Sequence, residues 1–324
     1  MSAPAKRRFS LWLTLVPLVL GIGAYWLTWS GFRDRLADDI RAVMPAATTE
    51  ISGFPYRLED EIKAPALRHD SPGLRASASA EVAVLNRGPW QPDLTVLALK
   101  QPRFAVAVPP LAGASIALSA PLGSASLRLD GKRLARLSTH FDNPTLTIGL
   151  LPVPLTADSF ELHLREMAPA KAEGAAPTAA PVAQFVLKGA GAKLGGGDPL
   201  TLSADFNATG SALVRSYTGW AQRGTIELTA LTLTDATGEV LTASGSAVPQ
   251  GGRLAIAGTV TTVCPHMLRA AFAGTPAPPE KRLRVAVRMP VTVQGGVVTL
   301  GEPPVGWATR PVRGQLSPCP VLRR

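Results

Sequence analysis

Hydrophobic and polar residues alternate along most of this chain. In "GLRASASAEVAVLNRG", Leu74, Ala76, Ala78, Ala80, Val82 and Val84 fall on one face of an extended strand, and Arg75, Ser77, Ser79 and Glu81 begin the other. "SFELHLRE" sets Phe160, Leu162 and Leu164 against Glu161, His163 and Arg165. "LTLSADFNATG" sets Leu200, Leu202, Ala204, Phe206 and Ala208 against their polar neighbours. A period of two marks antiparallel strands with one face on a core and the other in water. Shorter runs such as "RFAVAV", "TLTIGL", "TIELTALTLTD", "RLAIAGTV" and "VTVQGGVVTL" fill most of the remainder. The pattern predicts a mainly β protein, with later helices only around "ALVRSYTGWA" and "CPHMLRAAFAG".

The N-terminus breaks the pattern. Residues 9–29 carry no charge, enough for a helix about 31 Å long at the usual rise, and Pro17 within it is tolerated by membrane helices. Trp12 at one end and Trp26 and Trp29 at the other fit interfacial aromatic belts. Lys6, Arg7 and Arg8 flank the front, whereas the charges behind nearly cancel, so the positive-inside rule places residues 1–8 in the cytoplasm and the body outside. A cleaved signal peptide is the rival reading, but "AYWLTWSGF" is too bulky for a cleavage site. Phe32, Leu36, Ile40 and Val43 then recur at helical spacing, predicting a short amphipathic helix that ends at Pro45, its stripe on lipid or, as is usual, on the domain.

"TTEI" reads as a short strand, and "SGFPYRLE" as a turn in which Gly53 and Pro55 set the backbone while Phe54 and Tyr56 offer large apolar groups. That turn is expected to dock on the anchor helix or to dip into the headgroups. The Ala/Pro-rich stretch 168–183 reads as a flexible loop or linker between a β half at 30–167 and another at 184–324. The strand character is the same on both sides, which favours one extended, curved antiparallel sheet, shaped as a half-pipe or sandwich. No clean internal repeat stands out.

The anchor, the short charged helix, "SGFPYRLE", the "APAL" strand and the β-rich remainder together resemble the bacterial membrane-anchored family known as domain of unknown function 2125. The late segment "LTLTDATGEVLTASGSAVPQGGRLAIAGTVTTV", followed by "VVTLGEPPVG", resembles the strand style of AsmA-like envelope proteins. The resemblance implies an inner-membrane protein of Gram-negative bacteria with its body in the periplasm. It brings no catalytic residues with it.

Composition narrows the function by exclusion. Glycine and proline number 30 each, which suits strands and turns, and a 6% aromatic content gives little for nucleic acid to stack on. The net charge of +10 is scattered, as anionic lipid surfaces tolerate, and nucleic acid is not an expected partner. There is no G-x-S-x-G, H-E-x-x-H or paired C-x-x-C, so no enzymatic activity, metal or cofactor is expected. "GAGAKLGGG" reads as a flexible turn and "DGKR" as a hairpin turn. His140 with Asp142, and His163, read as solvent-facing polar groups, and the run Glu59, Asp60, Glu61 as a solvated edge. Cys264 and Cys319 are the only candidates for a disulfide, suited to an oxidising compartment; two unpaired thiols are the alternative. What remains is a set of apolar strand faces beside a membrane. Non-enzymatic binding or transfer of a lipid or another apolar envelope molecule is therefore the expected function. The alternative is an envelope scaffold that binds another protein through a sheet edge.

Overall fold

The computed structural model of the protein describes residues 11–322 except 72, 112–113, 132, 150, 152, 168–180, 211–219, 221–223, 276–280, 283–284, 295–296 and 307–316. Lys6, Arg7 and Arg8, the Trp12 side chain, most of the Ala/Pro-rich stretch and most of the helix expected at "ALVRSYTGWA" lie outside the described residues.

The charge-free run and the amphipathic helix form one element. Helix α1 (Leu11–Val43) contains Pro17 and stops just before Pro45. Its part from Leu15 to Val43 is long and apolar enough to cross a membrane. "TTEI" does not form a strand; the chain there makes only an isolated bridge, Ser52 to Glu59.

The next elements come as strand pairs: β1 (Leu58–Lys63) and β2 (Ala66–Asp70); β3 (Arg75–Ser79) and β4 (Val82–Arg87); β5 (Leu94–Lys100) and β6 (Arg103–Ala107); β7 (Ser115–Ser119) and β8 (Leu122–Asp130); β9 (Arg133–Asp142) and β10 (Thr145–Ile148); β11 (Leu155–Thr156) and β12 (Ser159–Glu166). After them come β13 (Pro181–Leu194), β14 (Leu200–Thr209), β15 (Ile226–Asp235), β16 (Gly238–Gln250), β17 (Arg253–Thr262), helix α2 (Pro265–Ala273), β18 (Lys281–Arg282), β19 (Val287–Gln294), β20 (Val297–Leu300) and β21 (Ser317–Pro318). All but β18 and β21 join one large, open, curved antiparallel sheet. β12 pairs with β13 from Ser159–Ala190 to Glu166–Ala183, so the segments before and after the Ala/Pro-rich stretch share that sheet.

Each of the first strand pairs is one long strand folded at a two-residue corner, and the corners line up as a crease across the sheet. At Ala64-Pro65, Gln101-Pro102 and Asn143-Pro144 the first residue has a left-handed φ, of 49, 53 and 45°. The same two hydrogen bonds bridge each of these corners to the next strand. The first set runs from the amides of Ala64, Gln101 and Asn143 to the carbonyls of Glu81, Pro121 and Asp158, 2.8 Å each. The second runs from the amides of Ala80, Ala120 and Ala157 to the carbonyls of Pro65, Pro102 and Pro144, 3.2 Å each. "APAL", "QPRF" and "NPTL" are thus one repeated structural device, a periodicity that the sequence carries without advertising it.

The crease changes the meaning of the alternation. A left-handed residue inserted in a strand acts like a bulge and re-aims every side chain beyond it. The parity also changes at the Ala80-Glu81 corner, which has no left-handed residue: in β4 the buried positions are Ala83 and Leu85, not Val82 and Val84, which continue the face of Ala76 and Ala78 by simple counting. In the same way Leu97 and Leu99 hand over to Phe104, and Phe141 to Leu146, each time with a change of parity. Counting by twos through the corner therefore assigns the wrong face.

The apolar face of the sheet is covered from both ends. Near β1, α1 packs Trp29, Leu36 and Ile40 onto Leu58, Ile62 and Leu85. Near β17 and β19, α2 packs Met267, Leu268 and Ala271 onto Val240, Val260 and Met289. Proline at the start of α2 and left-handed Gly274 at its end are ordinary stop signals. Between the helices, the folded-over strands β7, β10 and β11 lay Leu118, Leu146 and Leu155 against Phe160, Leu202 and Leu231.

Candidate functional site

At the membrane end, the turn "SGFPYRLE" closes onto α1. Gly53 has a φ of 96°, and a Cβ there would lie 2.7 Å from the Arg57 side chain and 2.8 Å from its carbonyl oxygen, so this turn requires glycine. Phe54 fits between Tyr25 and Trp29, with ring centroids 5.8 and 5.4 Å away. The Tyr25 hydroxyl donates to the Pro55 carbonyl, and Trp29 Nε1 donates to the Arg57 carbonyl at 3.3 Å. The two aromatic residues of the turn therefore separate. Phe54 docks on the helix, whereas Tyr56 is 85% exposed. Trp29 is buried against the domain rather than standing in an aromatic belt, and Trp26 faces outward. From the predicted stripe, Leu36 and Ile40 are buried and Phe32 is packed against them, but Val43 is exposed.

Directly below, the acidic run divides: Glu61 is exposed and Glu59 partly so, as a solvated edge requires, but Asp60 is not. Asp60 alternates with Leu58 and Ile62 and is 1% exposed beneath the chain that leaves α1. Its Oδ1 accepts from the Glu50 amide at 2.9 Å, and its Oδ2 has no partner among the described residues. The neighbouring Leu58 was the signal in the sequence that could have placed it inside.

Beside this core lies a cavity of about 320 Å³, between α1 and the β4–β5 connection, lined by Phe32, Arg35, Asp38, Asp39, Leu58, Arg87 and Pro89 among others. Arg87 spans it, donating to Asp39 Oδ2 at 2.8 Å and to Thr95 Oγ1 at 3.0 Å. The lining thus carries both signs of charge on an apolar floor.

A single cross-strand line leads away from the cavity. Leu58 pairs with Arg87, Arg87 with Thr95 and Thr95 with Leu127. The line then continues through Leu137, Leu164, Phe185, Phe206 and Leu228. From Leu127 onward every member is a large apolar side chain and every one is only partly buried. At ~4.8 Å between strands this stretch is roughly 24 Å long, which exceeds the ~15 Å half-thickness of a bilayer's hydrocarbon core.

Other groups with chemical potential stand on the opposite, polar face. His140 Nε2 lies 3.1 Å from Asp142 Oδ1, and Glu161 lies between His140 at 3.8 Å and His163 at 3.4 Å. This cluster is partly exposed, and among the described residues no group of His, Cys, Asp or Glu is arranged to hold a metal ion. "GAGAKLGGG" is not a free turn: β13 runs through it to Leu194, and Gly189 admits the Phe160 ring. Cys264 and Cys319 are joined in a disulfide with their Cα atoms 5.8 Å apart. Close by, the Val321 amide donates to Asp198 Oδ2 at 2.7 Å, so the C-terminal segment is strapped to the end of the sheet.

A family model described as "Uncharacterized protein conserved in bacteria (DUF2125)" matches residues 42–255, from the end of α1 into β17. No curated protein and no solved structure matches the chain.

Proposed function

The chain belongs to this bacterial family, and from that premise we propose that it is a membrane-anchored binding protein for an amphiphile, not an enzyme. The amphiphile's polar head lies in the cavity beside α1, and its apolar tail lies along the row from Leu127 to Leu228. The observation that carries this reading is the continuity of the line from Arg87 and Thr95 to six large, partly buried apolar residues in register. A sealed sandwich core would bury that row completely. Each methylene covered there would contribute about 0.8 kcal/mol, so a modest length of acyl chain suffices for stable binding. Arg35 suits a phosphate, and Arg87 joins it by exchanging its bond to Asp39, which is then left to an ammonium group.

Helix α1 supports the same reading by placing the cavity where its apolar part ends, beside a source of lipid. On this reading α1 is an uncleaved anchor in the inner membrane, with the sheet in the periplasm, where the Cys264–Cys319 bond would persist.

The test is site-specific photo-cross-linking in cells, with a benzophenone amino acid replacing Leu164 on the row and, as a control, Lys188 on the polar face. A lipid adduct at Leu164 and none at Lys188 is the expected result. A protein-sized adduct at Leu164 would redirect the search to a scaffold, and no adduct at either position would sink the amphiphile reading.

A further inference from the structure

The anchor end has a second feature that ligand binding does not explain. Two connections far apart in sequence, 53–57 and 88–93, meet on the same stretch of α1. Trp90, in "GPWQP", stacks on Tyr25 with centroids 5.7 Å apart, and Phe54 reaches the same tyrosine from the other connection. The 88–93 turn is held in shape by Gln91 N to Gly88 O at 3.0 Å, Leu94 N to Gln91 O at 3.1 Å and a fully buried Pro89. It does not fold Trp90 inward. Trp90 is 70% exposed, Tyr56 on the other connection is 85% exposed, and Trp26 is 50% exposed. A body surrounded by water has no use for three large aromatic side chains at one level on rigid supports.

That level is informative. Tyr25 and Trp26 lie near the end of the charge-free run, and the first charge beyond them is Arg33, about 12 Å further along the helix. Tryptophan and tyrosine favour this zone of a bilayer, where the ring meets the acyl boundary and the polar atom stays wet. We infer that the 53–57 and 88–93 connections form a foot that rests in the headgroup layer of the bilayer crossed by α1, with Tyr56 and Trp90 inserted. Helix and foot together hold the sheet at a fixed tilt and keep the cavity facing the lipid. The inference rests on α1 being a membrane anchor, and it identifies the body's own contact with that membrane.

Collisional spin-label accessibility tests it on the full chain in nanodiscs of phosphatidylcholine and phosphatidylglycerol. Labels go singly at Tyr56→Cys and Gln91→Cys, the second of which leaves Trp90 in place. Reference labels are Val19→Cys on the apolar part of α1 and Val297→Cys on the exposed far strand β20; the native cysteines are bonded and do not compete. Expected are a deep Val19 label, and labels at 56 and 91 whose contact with a water-soluble nickel complex is several-fold lower than at 297. Labels at 56 and 91 as open to nickel as 297, with 19 deep in lipid, overturn the foot and leave the anchor standing. A nickel-accessible label at 19 overturns both.

Discussion

Replacing Gly189 by alanine tests the close packing of Phe160 on β13. Gly189 lies under the Phe160 ring: an added Cβ would meet Phe160 Cε1 at 2.5 Å and Cδ1 at 2.7 Å, with Leu202 Cβ at 3.5 Å. Phe160 is 1% exposed and belongs to the core between the folded strands, so the ring has no free direction in which to move. Overpacking of this kind costs roughly 1–3 kcal/mol. The φ of Gly189 is not left-handed, so alanine also restricts the unfolded chain, a gain of about 0.4–1 kcal/mol. The expected net loss is roughly 1–2 kcal/mol. It should be relieved in the double variant Gly189→Ala/Phe160→Leu, whose cost falls below the sum of the single ones. The assay is guanidinium unfolding of the full chain in mild detergent, followed by tryptophan emission. Gly123→Ala should behave alike, since its Cβ would meet Phe141 at 2.8 Å. A Gly189→Ala variant as stable as the parent, or strictly additive costs in the double variant, would refute the view that the ring fills the place of the missing Cβ.

In the same assay Phe54→Ala should lower stability by roughly 1–2 kcal/mol, through loss of its contacts with Tyr25 and Trp29, while Tyr56→Ala should stay within about 0.5 kcal/mol. Replacing both Cys264 and Cys319 by serine opens a loop of 55-residue separation, for which chain entropy sets a scale of about 4 kcal/mol. A clear fall in melting temperature is expected, with faster amide exchange at 319–322 where the tail meets Asp198. Leu164→Gln with Phe206→Gln should reduce co-purifying amphiphile, quantified by mass spectrometry, to background. Both positions are only partly buried, so the fold should survive the change.

The candidate site was only partly legible before the fold was known. The Gly-Phe-Pro turn stood out because glycine and proline are punctuation at any scale. Trp90 did not, because nothing local distinguishes a tryptophan that stacks on a distant helix from one in an ordinary loop. Asp60 was misplaced for a different reason. Its two acidic neighbours dominated the reading, although its alternation with Leu58 and Ile62 pointed inward. The line from Arg87 to Leu228 is a property of register, assembled from eight strands whose pairing no local pattern states.

By itself the sequence determined most of the elements, though not the strand expected at "TTEI" or the turn expected at "GAGAKLGGG". A charge-free run must be a helix if it lies in lipid, and period-two alternation must be strand if its apolar side is to be buried. Both follow from local chemistry repeated over several residues. Only the tertiary structure decided which apolar positions face together. The corners reverse the parity of the long strands, with a left-handed residue at Ala64, Gln101 and Asn143 and without one at Ala80-Glu81, and one reversed residue sends every later side chain to the other face. The corner conformations are held by hydrogen bonds to the neighbouring strand, so the information that sets the inner face is shared between segments and belongs to neither alone.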